Sequence, residues 1–199
     1  MRRLRRRAVV LPVMAVLVAG MAFGLYWFQP WKLFVDHRVD ERLPDVAVAA
    51  DETTPPPVAP VPSASASPSA SASPSVSATP ATNRLVARGS LITHEHDTSG
   101  TVNIVELADG SRVLTLRNLD TSDGPDVEVW LTDAPVRAGE KGWYVFDDGA
   151  HVSLGDLKGN QGNQVYRIPK SVDLSRYTSV SLWCARFDVS FGAAELTPA

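Results

Sequence analysis

Cysteine is nearly absent: Cys184 is the single thiol in 199 residues. No internal disulfide can form, so the fold is held by its core alone, and any sulfur chemistry happens at one atom. No Asn-x-Ser/Thr acceptor occurs either, which excludes N-glycosylation. The chain has no Gly-x-Ser-x-Gly elbow, no His-Glu-x-x-His pair and no Gly-rich loop with a phosphate-binding lysine. Serine hydrolase, zincin and nucleotide chemistries therefore lose their usual signatures. A basic stripe is missing as well. From Arg84 onward 11 Lys or Arg face 16 Asp or Glu, whereas polynucleotide binding needs clustered cations to release phosphate counterions. No nucleic-acid partner is expected.

What is present begins with charge. Arg2, Arg3, Arg5, Arg6 and Arg7 precede an uncharged stretch over residues 8–28. As a helix those 21 residues would span roughly 32 Å, about one hydrocarbon core. The stretch reads as a transmembrane helix, with residues 1–7 as a basic cytoplasmic N-terminus by the positive-inside bias. Everything after it is then expected to be extracytoplasmic, on a single-pass protein of the cell membrane. Tyr26, Trp27 and Trp31 stand at the outer end, where aromatic rings are stabilised among headgroups. The competing reading is a cleaved signal peptide, since Ala22-Phe23-Gly24 supplies small residues after an apolar run.

Residues 29–51 read as a membrane-proximal linker. Residues 52–83 hold little but Pro, Ala, Ser, Thr and Val, with Pro62, Pro68, Pro74 and Pro80 recurring at a fixed interval. Such a segment has too few large apolar groups to offset the entropy of ordering. A disordered stalk is expected, able to carry the rest well away from the membrane.

From residue 84 to 199 the pattern changes to short runs of period two, broken by Gly, Asp, Asn and Pro. Val102 and Ile104 alternate with polar neighbours before Asp109-Gly110, a hairpin signal, and Val113, Leu114 and Leu116 resume the strand pattern. Val127, Val129 and Leu131 share one face, with Glu128, Trp130 and Thr132 on the other. Seven or eight short strands without βαβ alternation predict an all-β fold, an antiparallel β-sandwich or jelly-roll-like domain.

Cys184 falls in the run Leu182-Trp183-Cys184-Ala185-Arg186-Phe187. Its parity with Val180 and Leu182 places the sulfur on an apolar face, and Trp183 on the opposite one. Residue chemistry leaves two readings open. A buried cysteine is a small hydrophobe; a redox thiol needs solvent access and a nearby cation, for which Arg186 is the local candidate. A lone thiol cannot close its own disulfide, so electron exchange implies a partner thiol or a sulfenic step. His94 and His96, with Cys184 and His151, are a weak set for copper, too widely spaced for a compact ligand loop. The carboxylates of residues 120–126 lack the spacing of a calcium loop. No metal is expected, and no cofactor is legible.

In order and spacing, Gly89-Ser90-Leu91, His96-Asp97-Thr98-Ser99-Gly100, Gly124-Pro125-Asp126-Val127-Glu128-Val129-Trp130, Gln164-Val165-Tyr166-Arg167-Ile168-Pro169 and Ser181-Leu182-Trp183-Cys184-Ala185-Arg186-Phe187 resemble the DM-thirteen, or electron-transfer DM, domain family. The resemblance covers Leu85 to Leu196. It implies an extracytoplasmic β domain whose hallmark cysteine, here Cys184, acts in redox or electron transfer, with Trp183, Arg186, His96 and Asp126 as accessory candidates. No DOMON or hydroxylase-like companion is legible, so a redox partner protein is expected. The alternative is a non-catalytic envelope-binding or structural module with a buried cysteine, and a stand-alone enzyme is not expected.

Overall fold

Asp109-Gly110 turns the chain where the sequence predicts. Leu107 N–H donates to the Ser111 carbonyl at 2.8 Å and Ser111 N–H to the Asp109 carboxylate at 2.8 Å, closing a hairpin between β4 (Ser99–Glu106) and β5 (Arg112–Asp120). The structure, a computed structural model, describes residues 2–46 and 82–199, and the side chains of residues 12–32, 35–46 and 82–199. Helix α1 (Arg2–Phe28) leads to a 3₁₀ turn (Pro30–Phe34) and β1 (Arg38–Asp40). After residues 47–81 come β2 (Arg84–Ser90), β3 (Ile92–Thr93), β4, β5, β6 (Val127–Thr132), β7 (His151–Asp156), β8 (Gln161–Ile168), β9 (Ser179–Cys184), β10 (Val189–Glu195) and β11 (Thr197–Pro198).

The strands form two sheets, in the orders β1-β8-β5-β4-β2-β11 and β3-β10-β9-β6-β7. Every pairing is antiparallel except β1 with β8. The chain passes between sheets at Leu91 and again at Leu196, so β2–β3 and β10–β11 tie the layers together along one edge. The expected sandwich is what the chain builds.

Between the sheets lies the main core, with Ile104, Leu114 and Leu116 from one layer meeting Val129, Leu131 and Leu182 from the other. Each such side chain contributes about 1.5–3 kcal/mol by leaving water. Strand β9 is buried along its whole length, flanked by β6 and β10, as expected of a central strand with apolar groups on both faces. Its outward residues need a cover of their own. The segment 133–150 supplies it, packing Phe146 and Ala134 over Trp130 and Trp183 as a second small core.

The expected linker over residues 29–51 is more than a spacer in its described part. Strand β1 extends the first sheet beside β8, where Gly162 has φ 99° and a Cβ would run into the Val39 carbonyl. The Glu41 carboxylate accepts from Lys158 Nζ at 2.8 Å and from the Val165 N–H at 2.6 Å. The expected stalk, 52–83, lies outside the described residues but for Thr82 and Asn83. Asn83 donates to the Asp45 carbonyl at 2.9 Å, which brings together the described residues on either side of 47–81.

Among the described residues no helix is long and apolar enough to cross a membrane. The expected transmembrane segment, 8–28, falls within α1, and the side chains of residues 8–11 lie outside those described.

Candidate functional site

Cys184 is the last residue of β9, immediately before the turn 185–188 that leads into β10. It pairs with Val127 on one side and Val189 on the other, and its side chain enters the inter-sheet core with no exposed surface. Burial pushes the thiol above its ordinary range, and the nearby Asp126 carboxylate adds to that; the backbone N–H groups of Arg186, Phe187 and Asp126 act in the opposite sense. The net effect favours the protonated thiol.

Two loops cover it. Residues 123–126 close over from β6, with Ala185 N–H donating to the Asp126 carbonyl at 2.9 Å, and the 185–188 turn closes from β9, with Phe187 N–H donating to the Cys184 carbonyl at 3.2 Å. Gly124 permits the fit, since a Cβ there would stand 2.6 Å from Val127 Cγ2 and 2.7 Å from Phe191 Cζ. Both loops are braced by the end of α1 and the segment after it. Lys32 Nζ donates to the Gly124 carbonyl at 2.8 Å, and Lys32 and His37 approach the Asp123 carboxylate at 3.7 and 3.3 Å. Phe28 stacks on Phe187 at 5.7 Å.

Arg186 does not serve as the cation beside the sulfur. Its guanidinium donates to the Trp27 carbonyl at 3.1 Å and lies 5.6 Å from the Trp27 ring. The His96 ring packs tilted against Phe191 with centroids 3.9 Å apart, so Phe191 links it to Gly124 at this same end of the sandwich. Burial lowers the His96 pKa, against the raising effect of Glu95 and Asp97. Asp126 thus stands with Cys184, and His96 one residue further, while Trp183 points to the opposite face of the sheet.

The weak copper set is dispersed. His94 sits on the outer side of the second sheet with Nε2 3.1 Å from the Arg137 carbonyl and Nδ1 2.9 Å from Ser190 Oγ. A carbonyl only accepts, so in the neutral ring it is Nε2 that carries the proton. Burial lowers the His94 pKa, which agrees with that neutral ring. Asp123 is engaged by Lys32 and His37, and Asp120 accepts from Gln161 at 3.3 Å. Among the described residues no group of three or more His, Cys, Asp or Glu is placed to hold a metal ion.

Residues 90–196 match the family described as electron transfer DM13, which is more than half of the 199-residue chain. The chain belongs to the electron transfer DM13 family. No curated protein and no solved structure matches it. In this DM13 domain two of the family motifs meet beside β10: the 96–100 loop meets the 121–126 segment through Thr98 Oγ1 and Thr121 Oγ1 at 2.8 Å, and meets β10 through Thr98 Oγ1 donating to the Phe191 carbonyl at 3.0 Å.

The DM13 domain also carries an aromatic column that motif reading passed over. Trp130 stacks on exposed His151 at 4.0 Å with the rings 2° from parallel, and on Trp183 at 5.2 Å. Trp130 Nε1–H donates to Glu128 Oε2 at 2.8 Å, and the Ser153 hydroxyl donates to the same oxygen. The i, i+2 parity of Glu128 and Trp130 was the signal available in the sequence.

Proposed function

We propose that this DM13 domain is a membrane-tethered, extracytoplasmic electron-transfer module that exchanges electrons with a partner protein through Cys184. The observation that carries the reading is the match to the electron-transfer family over residues 90–196, with the lone thiol of Cys184 set at the end of β9 between the 123–126 and 185–188 loops. Deprotonation then follows parting of the 123–126 and 185–188 loops, braced by Lys32, His37 and Phe28. The thiolate attacks a partner disulfide, forming a mixed disulfide and releasing one partner thiolate. The tether is supported by the arginine-rich start and by large apolar side chains that α1 leaves exposed, among them Val16, Leu17 and Phe23.

A second reading has its own observation. The complete burial of Cys184 and its raised pKa suit a packing residue of a binding or structural module. Alkylation of the full chain at graded urea and pH separates the two. A loop-opening thiol reacts below the unfolding transition with a free energy of exposure nearly independent of urea; a packing thiol reacts only with the full denaturant slope of global unfolding. The second result would overturn the redox reading.

A further inference from the structure

The outer face of the second sheet holds three rings in series from solvent inward. His151 is exposed, Trp130 is 8% exposed and Trp183 is 1% exposed. Register explains the arrangement: Trp130 faces Ser181 and Glu128 faces Trp183 across β6 and β9, so the two indoles meet diagonally. Phe146 closes the inner end, its ring edge-on to Trp183 at 6.3 Å.

An indole in such a cluster is hard to oxidise alone, because removing one electron leaves a positive charge among apolar groups. Trp130 has a remedy that Trp183 is not shown to have. Its N–H already points at a carboxylate oxygen 2.8 Å away, and Ser153 fixes the direction of that oxygen. A proton moving along this bond would leave no net charge on the ring.

We propose that Trp130 is a one-electron relay coupled to a proton acceptor, Glu128, with the His151 face as its contact with an oxidant. A high-potential, metal-centred one-electron oxidant on a partner protein accepts one electron from the indole. The N–H bond breaks, the proton goes to the Glu128 carboxylate to form a carboxylic acid, and a neutral indolyl radical remains on Trp130. Re-reduction by one electron returns the proton to the ring. Trp183 offers the next position inward. The inference rests on the electron-transfer reading of the family but not on Cys184.

Flash photolysis of the full chain with a soluble ruthenium polypyridyl photo-oxidant tests it, in a background where exposed Trp27 and Trp31 are phenylalanine. Transient absorption and paramagnetic resonance distinguish the neutral indolyl radical from its protonated cation. The neutral radical is expected in this background and equally with Cys184→Ser, is lost in Trp130→Phe, and persists in Trp183→Phe. Glu128→Gln keeps an acceptor oxygen of low basicity, and its neutral-radical yield is expected to fall by about a hundredfold, the lower range for a positioned proton acceptor. Urea midpoints check that each variant is folded. A neutral radical undiminished in Glu128→Gln or in Trp130→Phe overturns the proposal; a radical lost only with Cys184→Ser would return electron transfer to the thiol.

Discussion

Replacing Cys184 by alanine and by serine asks what surrounds the sulfur. Alanine removes one large atom from a fully buried site. The lost transfer energy is about 0.8 kcal/mol for a methylene-sized group, and a cavity of about 25 Å³ adds roughly 0.6 kcal/mol at about 24 cal/mol per Å³. Cys184→Ala is therefore expected to destabilise by about 1–2 kcal/mol. Serine nearly refills the volume but brings a hydroxyl, which in a purely apolar site costs a further 1–3 kcal/mol, roughly. The backbone amides of Arg186 and Asp126 lie close enough to act on the thiol, and a serine oxygen that accepts from one of them would leave Cys184→Ser no less stable than Cys184→Ala. Urea unfolding followed by tryptophan fluorescence, at constant slope, reads both numbers. Serine falling below alanine by more than about 1 kcal/mol would show that no amide reaches the side chain. Two variants indistinguishable from the parent would refute its burial.

Gly124→Ala forces a Cβ against Val127 and Phe191, and a loss of about 1–3 kcal/mol in urea unfolding is expected; an unchanged midpoint would refute the tight cover over Cys184. Burial lowers the pKa of both His94 and His96 below 6.5. The unfolded chain takes up these protons as pH falls through 6.5 while the folded chain does not, so stability is full above that pH and declines below it. His94→Gln should flatten this decline, and midpoints that rise on acidification would reverse the sign. Residues 47–81 form about 35 positions between anchored ends. Shortening them fourfold should stabilise the domain by about 1.2 kcal/mol, at about 0.6 kcal/mol per halving, whereas destabilisation would show that the segment packs on the sandwich.

Strand parity was legible wherever one face is buried and the other has distinct chemistry. Val127, Val129 and Leu131 line the inter-sheet core as their alternation requires, and Cys184 follows Val180 and Leu182 into it. The Asp109-Gly110 hairpin was equally plain, because a turn is a local decision. Beyond reach were pairings made across long sequence distances. The sequence of β1 carries too few residues for a period, and it becomes a strand through its pairing with β8, far away in the chain, supported by the glycine at 162 and the Glu41–Lys158 pair. The direction of Arg186 was equally hidden, since it depends on Trp27, 159 residues earlier. The candidate cation and the sulfur share parity, yet the tight turn that follows β9 throws the arginine outward.

The hydrogen bond between Asn83 and Asp45 makes the folding unit discontinuous. A fragment starting at the composition change near Arg84 would lack the β1 edge, the Glu41–Lys158 pair and the Lys32 and His37 contacts with Asp123. A protease that cut between residues 47 and 81 would not release the sandwich from α1. It would leave a two-chain complex held by β1, in which the short amino-terminal piece is a detachable subunit and the affinity of the two pieces becomes the property that selection can tune.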